Sequence, residues 1–265
     1  MTRPGSGVRI LIVTLSNLGD VLLTLPVFGA LAKAYPDARP DVIVGASAKV
    51  IIDRLPGIGQ VRVPDKTAGL RGRLALLRWV REQRYDLIVD LRRSYIGLLG
   101  GARKRNRYWI GAPAVRHRAD QHRASVLGIL SEEEIDASAV RGIDGSAALP
   151  AAAIAAGLDP LRPYLVAAPG SKSDTKKWPA SSYAKVLAQL SADGHRIVLI
   201  GDEADRADVD AVVAGLPAGA VVDLCGRLSF MDLVPVIARA SLLLTNDSAP
   251  LDRKSTRLNS SHLVI

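Results

Sequence analysis

Short β-branched runs alternate with longer amphipathic stretches along this chain, and the alternation occurs twice. VRILIVTL (8–15), DVIVGA (41–46), QVRVP (60–64) and YDLIVDL (85–91) read as buried strands. Apolar residues at helical spacing predict helices over about 20–34 and over 70–83, with a short one in AKVIIDRL. The series pauses around 142–163, where Gly, Ala and Pro dominate, and then restarts. PYLVAAPG (163–170), HRIVLIGD (195–202), AVVDLCG (220–226) and SLLLTND (241–247) predict four more strands, with helices at about 180–192, 203–215 and 229–240. Apolar runs without a polar face suit strands covered on both sides, so the expected class is α/β, with two mostly parallel sheets wrapped by helices. Folds of this kind bind ligands beyond the C-terminal ends of their strands, which directs attention to the loops leaving them.

Composition narrows the function classes. A chain of 265 residues that is 48% hydrophobic can bury one or two cores, so disorder is not the expectation. No apolar run reaches the roughly 18 residues of a spanning helix. The opening MTRPGSGVR lacks the pattern of a signal peptide, and a cytoplasmic protein is expected. Cys225 is the sole cysteine and the four histidines are scattered, so no metal site is expected.

The net charge of +9 belongs to the first half. Residues 1–160 carry 23 Lys/Arg against 15 Asp/Glu, while residues 161–251 carry 9 against 10. Residues 92–123 concentrate nine basic side chains, among them Arg92, Arg93, Arg103 and Arg105, against one acid, Asp120. Such a field suits an anionic partner: nucleic acid, an anionic membrane surface or a phosphorylated glycolipid. A solvated basic face is the plain alternative.

Four strand-end loops carry polar groups. LSNLGDVLLTLP (15–26) places Asp20 at or beside the N-cap of the next helix, where it could cap that helix or act as a general base toward a sugar hydroxyl. APGSKSDTKKWP (168–179) sets Ser171, Lys172, Lys176 and Lys177 before a helix, an arrangement suited to a diphosphate and equally open to reading as an exposed loop. It lacks the Walker spacing. Trp178 and Pro179 are expected to pack and to start the helix. In IGDEADR (200–206), Glu203 could accept from ribose or sugar hydroxyls or complement the helix dipole. In LLLTNDSAP (242–250), Asn246, Asp247 and Ser248 could form a site or a turn.

In their order and spacing, these motifs resemble those of glycosyltransferase family 9, the heptosyltransferases that use ADP-heptose. The resemblance covers about residues 8–251. It implies that Asp20 is the catalytic base, that Ser171 and Lys176 contact the donor phosphates, and that Glu203, Asp247 and Ser248 contact the donor. It further implies two Rossmann-like domains in a GT-B arrangement, residues 1–155 receiving the acceptor and residues 156–251 the ADP-sugar. Arg92, Arg93, Arg103 and Arg105 would bind an anionic glycolipid acceptor of the lipid A–core type. No cofactor, no metal and no nucleic acid partner is implied. The protein would work in the cytoplasm, in peripheral contact with the inner membrane surface. A rival reading is a non-catalytic α/β module binding a nucleotide or an anionic membrane; a family member with another sugar or acceptor is a third.

The sequence departs from the family's D-[ST]-G-x-x-H pattern in two places: Ala249 replaces the glycine and Asp252 stands at the histidine. DRKSTRLNSSH (252–262) matches the translation of a common short-read sequencing adapter. Residues 252–265 are therefore expected to be foreign and to take no part in the fold, leaving the second domain incomplete and the chain inactive as it stands.

Overall fold

The computed structural model describes residues 7–65, 67–106, 118–130, 146–171, 175, 177–246 and 263–264. The chain forms two compact units, Met1–Ile143 and Asp144–Ile265.

The first unit is built on an all-parallel five-stranded sheet. Its strands are β1 (Ile10–Val13), β2 (Asp41–Ile43), β3 (Val61–Arg62), β4 (Leu87–Asp90) and β5 (Lys104–Arg105), in the order β3-β2-β1-β4-β5. Both faces of β1 are covered, which is why its sequence shows no polar alternation. Leu11 and Val13 join Ile43, Ile88, Ile96 and the Leu76 and Val80 side chains of helix Gly69–Gln83 in one layer. Ile10 and Ile12 are buried as well.

The helix expected over 20–34 is two helices, Leu18–Leu22 and Leu25–Ala34. Pro26 lies in the first turn of the second, and its ring and missing N–H oppose continuation from the turn before. At the break, the Thr24 hydroxyl donates to the Val21 carbonyl at 2.7 Å and lies 3.1 Å from the Thr14 hydroxyl, both side chains being buried. Helix Tyr95–Leu99 and strand β5 were not expected from the sequence.

The second unit repeats the plan. β6 (Tyr164–Ala168), β7 (Arg196–Leu199), β8 (Val221–Asp223), β9 (Leu242–Thr245) and β10 (Leu263–Val264) form a parallel sheet in the order β10-β9-β6-β7-β8. Val166, Ala168, Val198 and Leu243 pack on one face against Val236 and Ile237 of helix Leu233–Arg239. Ala167, Ile197, Leu199 and Leu244 pack on the other against Tyr183 and Leu187 of helix Ala180–Ala192 and Val209 and Val212 of helix Arg206–Val213.

The division between units falls after Ile143, earlier than the expected 155/156. The segment read as a Gly/Ala/Pro pause contains helix Ala151–Ala155, and Leu149, Ala153 and Leu158 are buried in the second unit's core. The tail also departs from expectation: Leu263–Val264 extends the second sheet, paired with Leu244 and Thr245 of β9.

Each sheet reverses its strand order once, between β1 and β4 and between β6 and β9. Those two reversals are the switch points at which doubly wound sheets open a crevice for ligands. Among the described residues no helix is long and apolar enough to cross a membrane.

Candidate functional site

At the first switch point, β1 runs through Thr14 and Asn17 into helix Leu18–Leu22. The N-cap is Asn17 and not Asp20; Asp20 is the third helical residue, in the acidic position favoured by the helix dipole. Asn17 Nδ2 donates to Asp20 Oδ2 at 3.1 Å, and Asp20 is left half-buried. The carboxylate is thus oriented by one neighbour while remaining open to solvent and to an incoming hydroxyl.

Across the switch point, β4 ends in Asp90, which is buried to 1% exposure. Its Oδ1 accepts from the Arg92 amide at 3.0 Å, and its Oδ2 accepts from the Ser94 amide at 2.8 Å, the Ser94 hydroxyl at 2.8 Å and the Gly97 amide at 3.1 Å. Asn106, at the end of β5, closes on the same residue. Its Oδ1 accepts from the Asp90 amide at 2.8 Å and its Nδ2 donates to the Asp90 carbonyl at 3.1 Å. One buried carboxylate therefore folds the chain from Arg92 to Gly97. Arg93 is held there at φ 56, a left-handed conformation uncommon outside glycine, and Arg92 and Arg93 both point into solvent.

The four arginines expected to form an acceptor patch are not gathered in one place. Pairing of Lys104 with Leu87 sets Arg103 level with the start of β4, about 13 Å along the strand axis from Asp90 at ~3.3 Å per residue. Arg92 and Arg93 lie beyond the strand's C-terminal end. Arg105 Nη1 donates to the Leu98 carbonyl at 3.3 Å. The remainder of the basic stretch lies largely outside the described residues.

In the second unit, Lys176, Asp247 and Ser248 lie outside the described residues. What is described is the frame around them. Asn246, fully buried, follows β9. Its Nδ2 donates to the Pro169 carbonyl at 2.7 Å, and its Oδ1 accepts from the Trp178 amide at 3.0 Å and the Tyr183 hydroxyl at 3.2 Å. One amide thus fixes both ends of the 170–177 loop. Trp178 stacks edge-on against Tyr183 with centroids 5.1 Å apart, and Pro179 is the N-cap of helix Ala180–Ala192, as the sequence suggested. Lys177 pairs with Asp208 at 2.9 Å.

The loop after β6 passes through Gly170 to Ser171. A Cβ at Gly170 would collide with the Asp205 carboxylate, so only glycine lets this backbone run against helix Glu203–Asp205. Burial raises the Asp205 carboxyl above its usual range, the nearby Asp202 and Asp208 adding to the effect and the Asp202 amide opposing it. The cap of that short helix is Asp202. Its carboxylate accepts from the Ala204 and Asp205 amides, while Asp205 accepts from the Asp202 amide at 3.0 Å. Since Asp202 caps, Glu203 is not needed for that task; it is exposed and reaches over Gly226, in the turn after β8. Cys225 is buried, its thiol pushed up to about 11 by desolvation, and it donates to the Asp202 carbonyl at 3.2 Å. Among the described residues no three His, Cys, Asp or Glu side chains are grouped to hold a metal.

Two of the residues that shape the site escaped the sequence reading. Asp90 falls inside the expected strand YDLIVDL (85–91), although a carboxylate after LIV, with RRS just beyond Leu91, is itself a signal of a capped turn. The sequence leaves Asn246 open between a site and a turn, and the structure makes it a buried clamp.

The chain thus holds two parallel α/β units, each with polar loops at its switch point. Residues 133–251 match the family described as Glycosyltransferase family 9 (heptosyltransferase), and the chain carries a domain of that family. It is 28% identical over 257 residues to the lipopolysaccharide heptosyltransferase 3 of Escherichia coli, covering 88% of this chain and 76% of that protein. Among solved structures it is similar to the E. coli ADP-heptose lipopolysaccharide heptosyltransferase II, with a TM-score of 0.77, 21% identity, and coverage of 97% of this chain and 84% of that one. It is also similar to the E. coli heptosyltransferase WaaC with ADP-2-deoxy-2-fluoro heptose, with a TM-score of 0.67, 18% identity, and coverage of 97% and 88%.

Proposed function

We propose that this glycosyltransferase moves heptose from ADP-heptose to the inner core of lipopolysaccharide, with inversion at the anomeric carbon and Asp20 as general base. The observation that carries this reading is Asp20 itself. It is a half-buried carboxylate in the first turn of the helix that follows β1, at a switch point, oriented by Asn17 and not consumed by capping. Such a group can accept the proton of an acceptor hydroxyl as its oxygen attacks the anomeric carbon and the bond from that carbon to the diphosphate breaks. The leaving diphosphate gains charge in that step, and Lys176, the Ser171 hydroxyl and nearby amides would stabilise it. Glu203, Asp247 and Ser248 would hold the donor's hydroxyls, and Arg92 and Arg93, beyond the C-terminal end of β4, the acceptor's phosphates and acid groups, whereas Arg103 and Arg105 lie away from them. The named relatives act on lipopolysaccharide, and one solved neighbour contains an ADP-heptose analogue, which supports the choice of donor and acceptor. The protein would work in the cytoplasm against the inner membrane.

The test is ADP release from ADP-heptose in the presence of a panel of core acceptors. Release that depends on both acceptor and Asp20, and falls by roughly tenfold or more in Lys176→Ala, is the expected result. Donor binding without acceptor-dependent release would instead favour a non-catalytic nucleotide-binding module.

A further inference from the structure

We propose that the face shared by helices Gly69–Gln83 and Tyr95–Leu99 docks the first unit onto an anionic lipid bilayer. The proposal extends the functional reading from the acceptor's chemistry to the surface that presents it.

Helix Gly69–Gln83 buries Leu76 and Val80. At 100° per residue, Leu74, Arg78 and Arg71 fall on the opposite side, with Leu70 and Arg81 at its margins. Leu70 is 71% exposed and Leu74 58%, positions at which a helix serving only its own core would carry polar residues. The neighbouring helix is tied to this one at both ends: the Tyr95 hydroxyl donates to the Arg73 carbonyl at 3.2 Å, and Arg81 Nε donates to the Leu99 carbonyl at 2.8 Å. That helix exposes Leu98 and Leu99, so four leucines stand out on one pair of helices. Single exposed leucines need no explanation; a group of four does.

The charge around them selects the occupant. Helix Gly69–Gln83 carries Arg71, Arg73, Arg78 and Arg81 against a single acid, Glu82, which is paired with Arg78 at 2.8 Å. Exposed Arg92 and Arg93 flank the second helix on one side and Arg105 on the other. A polynucleotide would engage the arginines and leave the leucines in water. An anionic bilayer satisfies both, with guanidinium groups at the lipid phosphates and leucines in the headgroup–acyl boundary.

Co-sedimentation of the purified chain with vesicles of phosphatidylcholine mixed with phosphatidylglycerol, and of phosphatidylcholine alone, tests this. These vesicles hold no saccharide, so the outcome is independent of whether the protein transfers heptose. Binding is expected to the mixed vesicles only and to weaken with salt. Leu70→Ser with Leu74→Ser should reduce it by about tenfold or more, and so should Arg71→Gln with Arg78→Gln. Because all four side chains are exposed, both variants should keep the parent's circular dichroism and thermal midpoint. Equal binding by the leucine variant would overturn the proposal, as would failure of the parent to bind. So would a parent that self-associates through these leucines, seen as a shift to monomer in the leucine variant without any vesicle binding.

Discussion

Asn246 accepts the backbone amide of Trp178 on its side-chain oxygen at 3.0 Å, joining the end of β9 to the far end of the loop that leaves β6. The same side chain donates to Pro169 at the near end of that loop. The two neighbours fix its orientation, since an amide N–H requires the oxygen and a carbonyl requires the nitrogen. The loop carrying Lys176 is thereby anchored at both ends by one residue of the neighbouring strand's exit.

Asn246→Asp tests that anchoring with almost no change of shape. The substituted oxygen would face the Pro169 carbonyl, and a buried charge would replace a neutral group. A loss of about 2–4 kcal/mol in denaturant unfolding is expected, comparable to Asn246→Ala. Retention of parent stability by the aspartate variant would show that the Pro169 contact contributes nothing.

The apolar strands were legible in the sequence because both sheet faces are covered, so β1, β4, β6, β7 and β9 each contain a run of three or more consecutive aliphatic residues. β5 was not, because Lys104 and Arg105 are exposed on a sheet edge and carry no apolar signal. The break at Thr24 could have been inferred from Pro26. The boundary between units could not, since the buried role of Leu149 and Ala153 depends on which sheet they meet. In the site, Asp20 and Glu203 were visible by position, but their division of labour with Asn17 and Asp202 was not. Asp202 reaches the Ala204 and Asp205 amides, whereas Asn17 holds its N-cap position without a side-chain capping bond and donates to Asp20 instead, and adjacent Asn, Asp and Glu residues look equivalent in sequence.

Asp90→Ala would leave the amides of Ser94 and Gly97 without their carboxylate in a buried turn. A destabilisation of about 3–5 kcal/mol is expected. Asp90→Asn keeps one oxygen and should lose about half as much. Urea titrations of the two variants check the order. An alanine variant as stable as the parent would mean that solvent replaces these bonds.

Asp20→Asn separates chemistry from structure. Asp20 is not at the N-cap, so the substitution removes only a dipole contribution of about 0.3–1 kcal/mol and alters one side-chain contact. Turnover should fall by roughly 10²–10⁴ if proton transfer to the carboxylate limits the reaction. Activity near the parent's, with a lowered melting temperature, would return Asp20 to a structural role.

Asp205 is expected to weaken the fold at neutral pH. Burial raises its folded-state pKa above the unfolded value, so the folded state binds the proton more tightly. Its contribution to stability is therefore fully present below the unfolded pKa of about 3.9 and is lost as pH rises through the folded value. Asp205→Asn keeps an oxygen to accept from the Asp202 amide and removes the charge beside Gly170. Its stability at neutral pH should match or exceed the parent's, by less than about 1 kcal/mol because solvent screens a half-buried group. The parent should lose stability relative to the variant as pH climbs from about 4. Removing a negative charge next to the loop after β6 should also tighten binding of ADP, an effect that salt diminishes. Melting curves at several pH values, with and without ADP, measure both effects. A variant less stable than the parent at every pH would show that the bond to Asp202 depends on the full carboxylate charge and outweighs the cost of burying it.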